Sequence, residues 1–373
     1  MYTIDETVDD LLFERSARAA CPDADPSDVI FFDIETTGLS PARSGLYLIG
    51  CLFIHGKSTV LKQLFADDYG DEELILEAFS EILKNKSNMV HFNGSTFDIP
   101  YLKTKYEQHR LADPFSGKKS CDIYRKLMPL KRTFSLKSMK QKVLEELAGL
   151  HREDIYSGGE LINVYKAYQR EVLMLRTTRH DETDEIREMR RILLLHNSDD
   201  IKGMMTVAEL IGIIPFISGA FLAEDPYTED GGIRVTVVPE KQVPSCLYEA
   251  GSSLRFMDVD KTGSFSVKVP LIKDSLKLFM NNYREHYYIP SKDMAVHSSV
   301  AGFIAPCDRK KATPATCYVP CDGEFLTIRE EDLPDGLPLI KRSYGDRVAF
   351  VRKQDISPEV LKAAIMYRLN FID

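Results

Sequence analysis

The sequence predicts an α/β fold, a mixed β-sheet flanked by helices, followed by a smaller β-rich domain. Three observations carry that prediction. Short apolar runs of the kind that form buried strands alternate with segments of helical period as far as residue 213. Two of those runs are separated only by Gly56-Lys57, which marks a hairpin and therefore antiparallel pairing. Beyond residue 230 the apolar period shifts toward two. The 373 residues, 44% of them hydrophobic, suffice for one large or two medium domains with real cores.

The elements follow in order. Residues 1–28 read as an N-terminal helix over 7–20 and a turn-rich linker. The α/β domain is expected over 29–215. It opens with strands at 29–34, 47–55 and 58–65. A helix at 71–84 follows, with Leu74, Ile75, Ala78, Phe79, Ile82 and Leu83 at helical spacing. A short strand at 89–93 ends in the turn Gly94-Ser95-Thr96. The helix at 97–109 carries Pro100 in its first turn, where proline is tolerated. Further helices are expected at 122–127, 135–147, 159–179 and 183–195, with 200–213 continuing the pattern. The stretch 215–232, rich in Gly, Pro and acids, reads as a break. A β-rich domain over 230–373 follows, with strands at 233–238, 253–258, 264–269, 275–280 and near 347–352, and a closing helix near 358–369.

The net charge of −9 argues against a simple nucleic-acid coat. Its distribution is uneven: residues 231–373 hold 20 basic and 18 acidic residues, net +2, and the preceding part 28 and 39, net −11. An acidic first part suits a cation-dependent site. The N-terminus lacks an apolar h-region, so no signal peptide is expected. No apolar run approaches the ~18 residues of a membrane span. Seven scattered cysteines suggest reduced thiols and a cytoplasmic location.

The segment VIFFDIETTGLS at 29–40 interrupts a buried strand with two acids, Asp33 and Glu35. Residues i and i+2 of a strand share a face, so the carboxylates lie side by side. Bare, they would repel and each cost several kcal/mol of desolvation. A divalent cation removes both penalties, and Mg²⁺ and Mn²⁺ favour carboxylate oxygens. The alternative ends the strand at Ile34 and places Glu35 in a solvated turn. Asp98 begins a helix after a short strand, either as a further ligand or as an acid favoured by the helix dipole. In LLLHNSDDIKGM, His196 and Asp200 are four apart and share a helical face, suiting a proton acceptor and a ligand. The alternative is a helix cap formed by Asn197, Ser198 or Asp199.

Asp-x-Glu on a first strand, Asn-x3-Phe-Asp before a helix, and a ring with Asp four residues later together resemble the DEDD family of 3′–5′ exonucleases. DIETTGL, YLIG at 47–50, FNGSTFDIP and Asp122-Ile-Tyr are most similar to its YprB-like bacterial branch. The resemblance covers residues 28–213 and implies an RNase H-like fold. It implies Asp33, Glu35, Asp98 and Asp200 as ligands of two Mg²⁺ or Mn²⁺ ions, with Asp33 bridging them and His196 handling the water proton. It also implies a nucleic-acid 3′ end as partner. The chain departs from the family at one point: its tyrosine subclass has Tyr-x3-Asp and its histidine subclass His-x4-Asp, whereas here the pattern is His-x3-Asp. The resemblance leaves two alternatives, a nucleic-acid-binding scaffold without turnover and a structure-specific endonuclease.

Secondary candidates are Thr37 and Gly38, whose backbone could approach a terminal nucleotide, and Asn93, as substrate contact or turn residue. Asp122 reads as a helix cap. Lys118-Lys119, Lys131-Arg132 and the lysines at 137–142 read chiefly as a solvated helix face, with phosphate tracking as the alternative. In the C-terminal part, Phe279, Tyr283, His286, Tyr287 and Tyr288 with Arg284 and Arg309-Lys310-Lys311 read chiefly as core. The alternative is a platform for single-stranded nucleic acid. Cys307, Cys317, Cys321 and His297 lack the paired spacing of a zinc site.

Overall fold

A computed structural model describes residues 1–150, Arg152, Tyr156, 158–178, 182–245, Leu247, 257–259 and 263–370. The chain divides into two compact units. One comprises Met1–Lys131 and Ser135–Ile214, the other Arg132–Phe134 and Pro215–Asp373.

The first unit is built on β1 (Tyr2–Thr7), β2 (Val29–Thr36), β3 (Leu46–His55), β4 (Ser58–Phe65), β5 (Asn88–His91) and β6 (Lys119–Asp122), in the spatial order β1-β4-β3-β2-β5-β6. β2 pairs antiparallel with β3 and parallel with β5, so it lies inside the sheet. That explains its apolar run: a strand covered on both faces has no solvent side. Gly56 supplies the left-handed turn of the β3–β4 hairpin at φ +65.

Helices α1 (Asp10–Ala20), α2 (Glu72–Leu83), α3 (Asp98–Gln108), α4 (Ile123–Leu127), α5 (Leu130–Thr133, of which Arg132 and Thr133 belong to the other unit), α6 (Gln141–Leu147), α7 (Gly158–Thr178) and α8 (Asp184–Glu209) complete the unit. The Asp9 carboxylate caps α1 by accepting from the amides of Leu11 and Leu12. Phe13 of α1 packs edge-on against Phe31 of β2, ring centroids 5.7 Å apart. Tyr165 of α7 stacks on Tyr47 of β3 at 4.1 Å.

Several expectations need correction. Residues 1–28 are not only helix and linker, because β1 extends the sheet by pairing with β4. Almost all of β1 is exposed, so it carries no burial pattern to read. β6 was also not anticipated. The helix expected at 135–147 starts only at Gln141, after an irregular stretch in which Ser135 is left-handed at φ 50. Ser138 there hydrogen-bonds the Lys140 amide, the local competition by which serine disfavours helix. The segments 183–195 and 200–213 are joined, since α8 runs unbroken through Asn197–Asp199 and no cap forms there.

Among the described residues, the second unit holds three sheets. β7 (Phe221–Glu229), β8 (Gly232–Pro239), β9 (Met257–Val259) and β10 (Phe265–Pro270) form the first, in the order β7-β8-β10-β9. The stretch read as a break thus contains β7, whose exposed alternation hid it. The strand expected at 253–258 falls largely outside the described residues. β11 (Ile272–Phe279), β12 (His286–Ile289), β13 (Met294–His297), helix α9 (Ser298–Ala301), β14 (Lys310–Lys311), β15 (Tyr318–Arg329), β16 (Leu339–Lys341), β17 (Val348–Arg352) and α10 (Pro358–Asn370) follow. The other sheets run β16-β11-β15-β17 and β13-β12-β14. His286 and Ile289 are core, but Tyr287 and Tyr288 are only half-buried. No described helix is long and apolar enough to cross a membrane.

Candidate functional site

Asp33 and Glu35 lie on β2, with Phe31 on the same face. α8 crosses this face. At Asp33 the neighbouring strand supplies Gly50, its partner in register. A Cβ on Gly50 would sit 2.1 Å from Asn197 Oδ1 and 2.2 Å from Ile201 Cδ1. The missing side chain is what lets α8 approach. Asn197 Nδ2 then donates to Asp33 Oδ2 at 3.2 Å, and its Oδ1 accepts from Gln63 Nε2 at 3.1 Å.

One turn of α8 carries His196 and Asp200. His196 Nε2 stands 3.6 Å from Glu35 Oε1 and 3.4 Å from Asp200 Oδ2. Ligand atoms of Glu35, His196 and Asp200 lie within 4.8 Å of one another, a spacing that could hold a metal ion. Asp98, in the first turn of α3, accepts from the Ile34 amide at 3.3 Å.

The charges of these acids act on one another. Burial raises the Asp33 carboxyl well above the usual carboxylate range, and the charges of Asp98, Asp200 and Glu35 raise it further; the Asn197 amide opposes them. Burial raises Asp98 to about 7, with Asp122 and Asp200 adding to the shift, while its own amide and that of Ile34 counter it. Carboxylates so placed disfavour their own ionised form. A bound divalent cation would reverse that, so the donor set fits such an ion.

Arg152 is the feature the sequence did not suggest. Its guanidinium binds Glu145 with two nitrogens, Nη2 at 2.6 Å from Oε1, and also contacts Asp200 Oδ1. Glu145 is fully buried on α6. Asp200 therefore offers one oxygen to Arg152 and turns the other toward His196. Nothing in the local sequence around Arg152 signals this role, because both partners are distant or on other elements.

Asp33, Asp98, Asp200 and His196 line a cleft of about 780 Å³ within the first unit. Lys131, Lys137, Lys140, Lys142 and Arg152 line the same cleft, with Phe92, Phe97, Tyr124 and Tyr156. Lys131, Lys137, Lys140 and Lys142 remain exposed to solvent while they line the cleft, Lys131 from α5 and Lys142 from α6. Asn93 also lines the cleft, in a left-handed turn at φ 60. Asp122 makes no capping bond to α4; its oxygens accept from the amides of Asn93 and Ser95 and fix that turn. Thr37 and Gly38 do not line the cleft. Thr37 Oγ1 accepts from the Gly45 amide, and the Gly38 carbonyl accepts from Thr36 and Ser44, which closes their own loop. Among the described residues no second metal-ligating group occurs, so Cys307, Cys317, Cys321 and His297 form none.

Residues 30–211 match the family model of the RNase_H superfamily, and the mixed sheet with its flanking helices is an RNase H-like domain. No curated protein matches the chain. Among solved structures, the family B DNA polymerase of Pyrobaculum calidifontis is similar at 17% identity and a TM-score of 0.38, over 52% of this chain and 25% of the polymerase. Exonuclease I of E. coli, in complex with a dT13 oligonucleotide, is similar at 14% identity and a TM-score of 0.27, over 39% of this chain and 40% of the other. The chain thus spans a quarter of the polymerase and two fifths of the exonuclease.

Proposed function

We propose that this protein is a divalent-metal-dependent nuclease, acting as a 3′–5′ exonuclease on DNA or RNA. The observation that carries the proposal is the half-buried Asp33 carboxyl, held by an amide in the field of Asp98, Asp200 and Glu35. A fold has no structural use for such a concentration of like charge, which costs stability until a cation arrives.

Asp33, Glu35, Asp98 and Asp200 would hold two ions, Mg²⁺ or Mn²⁺. Bound there, the ions would acidify an attacking water and offset charge on the leaving oxygen. The chain supplies the rest. The lysines of the cleft bind the phosphates leading to the 3′ end. Phe92, Phe97, Tyr124 and Tyr156 offer rings against which terminal bases can pack. His196 Nε2 takes the proton as the water oxygen bonds to phosphorus. The bond from phosphorus to the 3′ oxygen of the penultimate sugar breaks, and a proton from solvent completes the new 3′ hydroxyl. A nucleoside 5′-monophosphate departs. Arg152, oriented by Glu145, keeps Asp200 in place and adds positive charge beside the phosphate.

Arg152 is also the observation that favours the second reading, a nucleic-acid-binding scaffold, because a guanidinium already neutralises part of Asp200. One experiment separates the readings. Single- and double-stranded DNA and RNA, labelled at either end, are incubated with the protein in Mg²⁺ or Mn²⁺. We expect a ladder shortening from the 3′ end, abolished by chelator and reduced at least ~100-fold by Asp33→Asn. Binding without shortening would support the scaffold. A discrete internal cut would support an endonuclease, and full activity of Asp33→Asn would refute the site.

A further inference from the structure

The strand β12 and the turn after α9 expose a group of cations and aromatics that the proposed nuclease centre does not use. Phe303 is 93% exposed and Val300 53%. Phe303 is no loose end. Its amide bonds the Val300 carbonyl at 3.1 Å, and the Ile304 amide bonds Ala301 at 3.1 Å. Arg309 reaches back to donate to that same Ala301 carbonyl. The Arg309 guanidinium lies over the Tyr287 ring at 5.1 Å, and Lys311 Nζ over the same ring at 4.4 Å. Lys311 also donates to the Arg284 carbonyl at 3.0 Å. The two cations are therefore positioned by a ring and by neutral carbonyls. Among the described residues neither pairs with a carboxylate. Residues 283–311 contain five basic and three acidic side chains, in a chain whose net charge is −9. Of the acids, Asp293 is taken by the hydroxyl of Tyr288 at 2.5 Å and that of Tyr318, and Glu285 accepts from Asn282 at 3.0 Å.

We propose that Phe303, Arg309 and Lys311 form a binding platform for single-stranded nucleic acid on the second unit. Phe303 offers a free ring face on which a base stacks. Arg309 and Lys311 meet the flanking phosphates, and Tyr287 holds both in place, so little side-chain freedom is lost on binding. Fixed cations without acid partners beside an exposed ring fit this polymer better than an acidic peptide, which has no bases to stack. The choice of a nucleic acid rests on the proposed function, but the platform binds without metal and takes no part in hydrolysis.

The test uses the full chain in EDTA, which prevents cleavage. Binding of fluorescent dT20 and U20 is followed by anisotropy across salt concentrations. Phe303→Ala should weaken both by about tenfold, the effect of one lost stacking contact. Arg309→Gln with Lys311→Gln should reduce the slope of log affinity against log salt by about 1.4, two phosphates at ~0.7 each. Thermal melting checks that the surface variants remain folded. Mn²⁺-dependent cleavage of a trinucleotide is measured separately and should be unaltered by Phe303→Ala. If no protein cleaves but the binding losses appear, the nuclease reading fails and the platform stands. Affinities within twofold of wild type in both variants would overturn the platform. So would competition by polyglutamate equal to that by unlabelled dT20, which would point to an acidic protein partner.

Discussion

Asn197 uses both ends of its amide at the candidate centre, donating to Asp33 and accepting from Gln63. Gln63 is itself fixed by a second bond, to the Leu194 carbonyl at 2.8 Å. The arrangement sets the rotamer of Asp33, which has Asp98, Asp200 and Glu35 as like-charged neighbours. It exists because residue 50 has no side chain. Gly50→Ala would place a methyl into Asn197 and Ile201, and overpacking of this kind costs about 1–3 kcal/mol. We expect Gly50→Ala to lower the melting temperature and the activity together. Asn197→Ala should instead lower kcat by tenfold or more, with little change in KM for the oligonucleotide, because it frees Asp33 without touching the lysines. Comparing kcat and KM for the two variants checks this, and an unchanged kcat in Asn197→Ala would remove Asn197 from the positioning of Asp33. At this scale the acids were readable because a charge inside an apolar strand is conspicuous. Asn197 and Gln63 were not, because their partners lie far away in the chain, and Arg152 was not, because it joins Glu145 on α6 to the distant Asp200. Asn197 even resembled a cap, since the same amide that bonds Asp33 suits a helix start.

α8 brings the candidate residues of the third motif to the sheet, and its continuity matters to that. In an unbroken helix His196 and Asp200 lie one turn apart on one face, so the three-residue spacing suffices to join them to Glu35. One turn beyond Asp200, on the same face, α8 receives α6 at Gly203. A Cβ there would stand 1.9 Å from Glu145 Oε1. Glu145 cannot simply swing aside, because it is buried and held by Arg152 and by Gln141 Nε2 at 2.8 Å. Gly203→Ala should therefore displace Glu145, release Arg152 from its orientation and weaken substrate binding. The expected readout is a several-fold rise in KM with a smaller fall in kcat, and Glu145→Gln should reproduce it without the steric clash. If Gly203→Ala leaves KM unaltered, Arg152 is not tied to the cleft through Glu145. Among elements, the buried strands β2–β4 and the amphipathic α2 and α3 were legible, since burial writes a period into the sequence. The edge strand β1 and the exposed β7 were not, as backbone pairing at an edge demands little of side chains. The stretch before α6 was expected to be helical, since neither the left-handed Ser135 nor the Ser138 bond to the Lys140 amide leaves a mark on the apolar period.

For the molecule as a whole, the α/β-then-β order was legible because the change of apolar period near residue 230 survives any error in a single element. What no pattern expressed is the stability stored against the site. Asp98 has a folded-state pKa of about 7 against an ordinary value of 3.8. The folded state therefore keeps a proton that the unfolded chain has already lost between those values. Stability is largest near pH 4, falls as pH rises toward 7, and stays reduced above it, by an amount on the order of 4 kcal/mol for this group. Asp33, shifted in the same direction, adds to the fall. A cation that binds the ionised carboxylates of the folded chain alone must act oppositely, stabilising most where the protons have gone. In chelator, the melting temperature should decline from pH 5 to pH 8, and the decline should flatten in Asp98→Asn, which cannot ionise. Mn²⁺ should raise the melting temperature at pH 8 far more than at pH 5, and Asp33→Asn should blunt that rise. A melting temperature indifferent to pH in chelator would contradict the charge crowding at Asp33 and Asp98. A Mn²⁺ response equal at both pH values would mean that the ion binds somewhere other than these carboxylates.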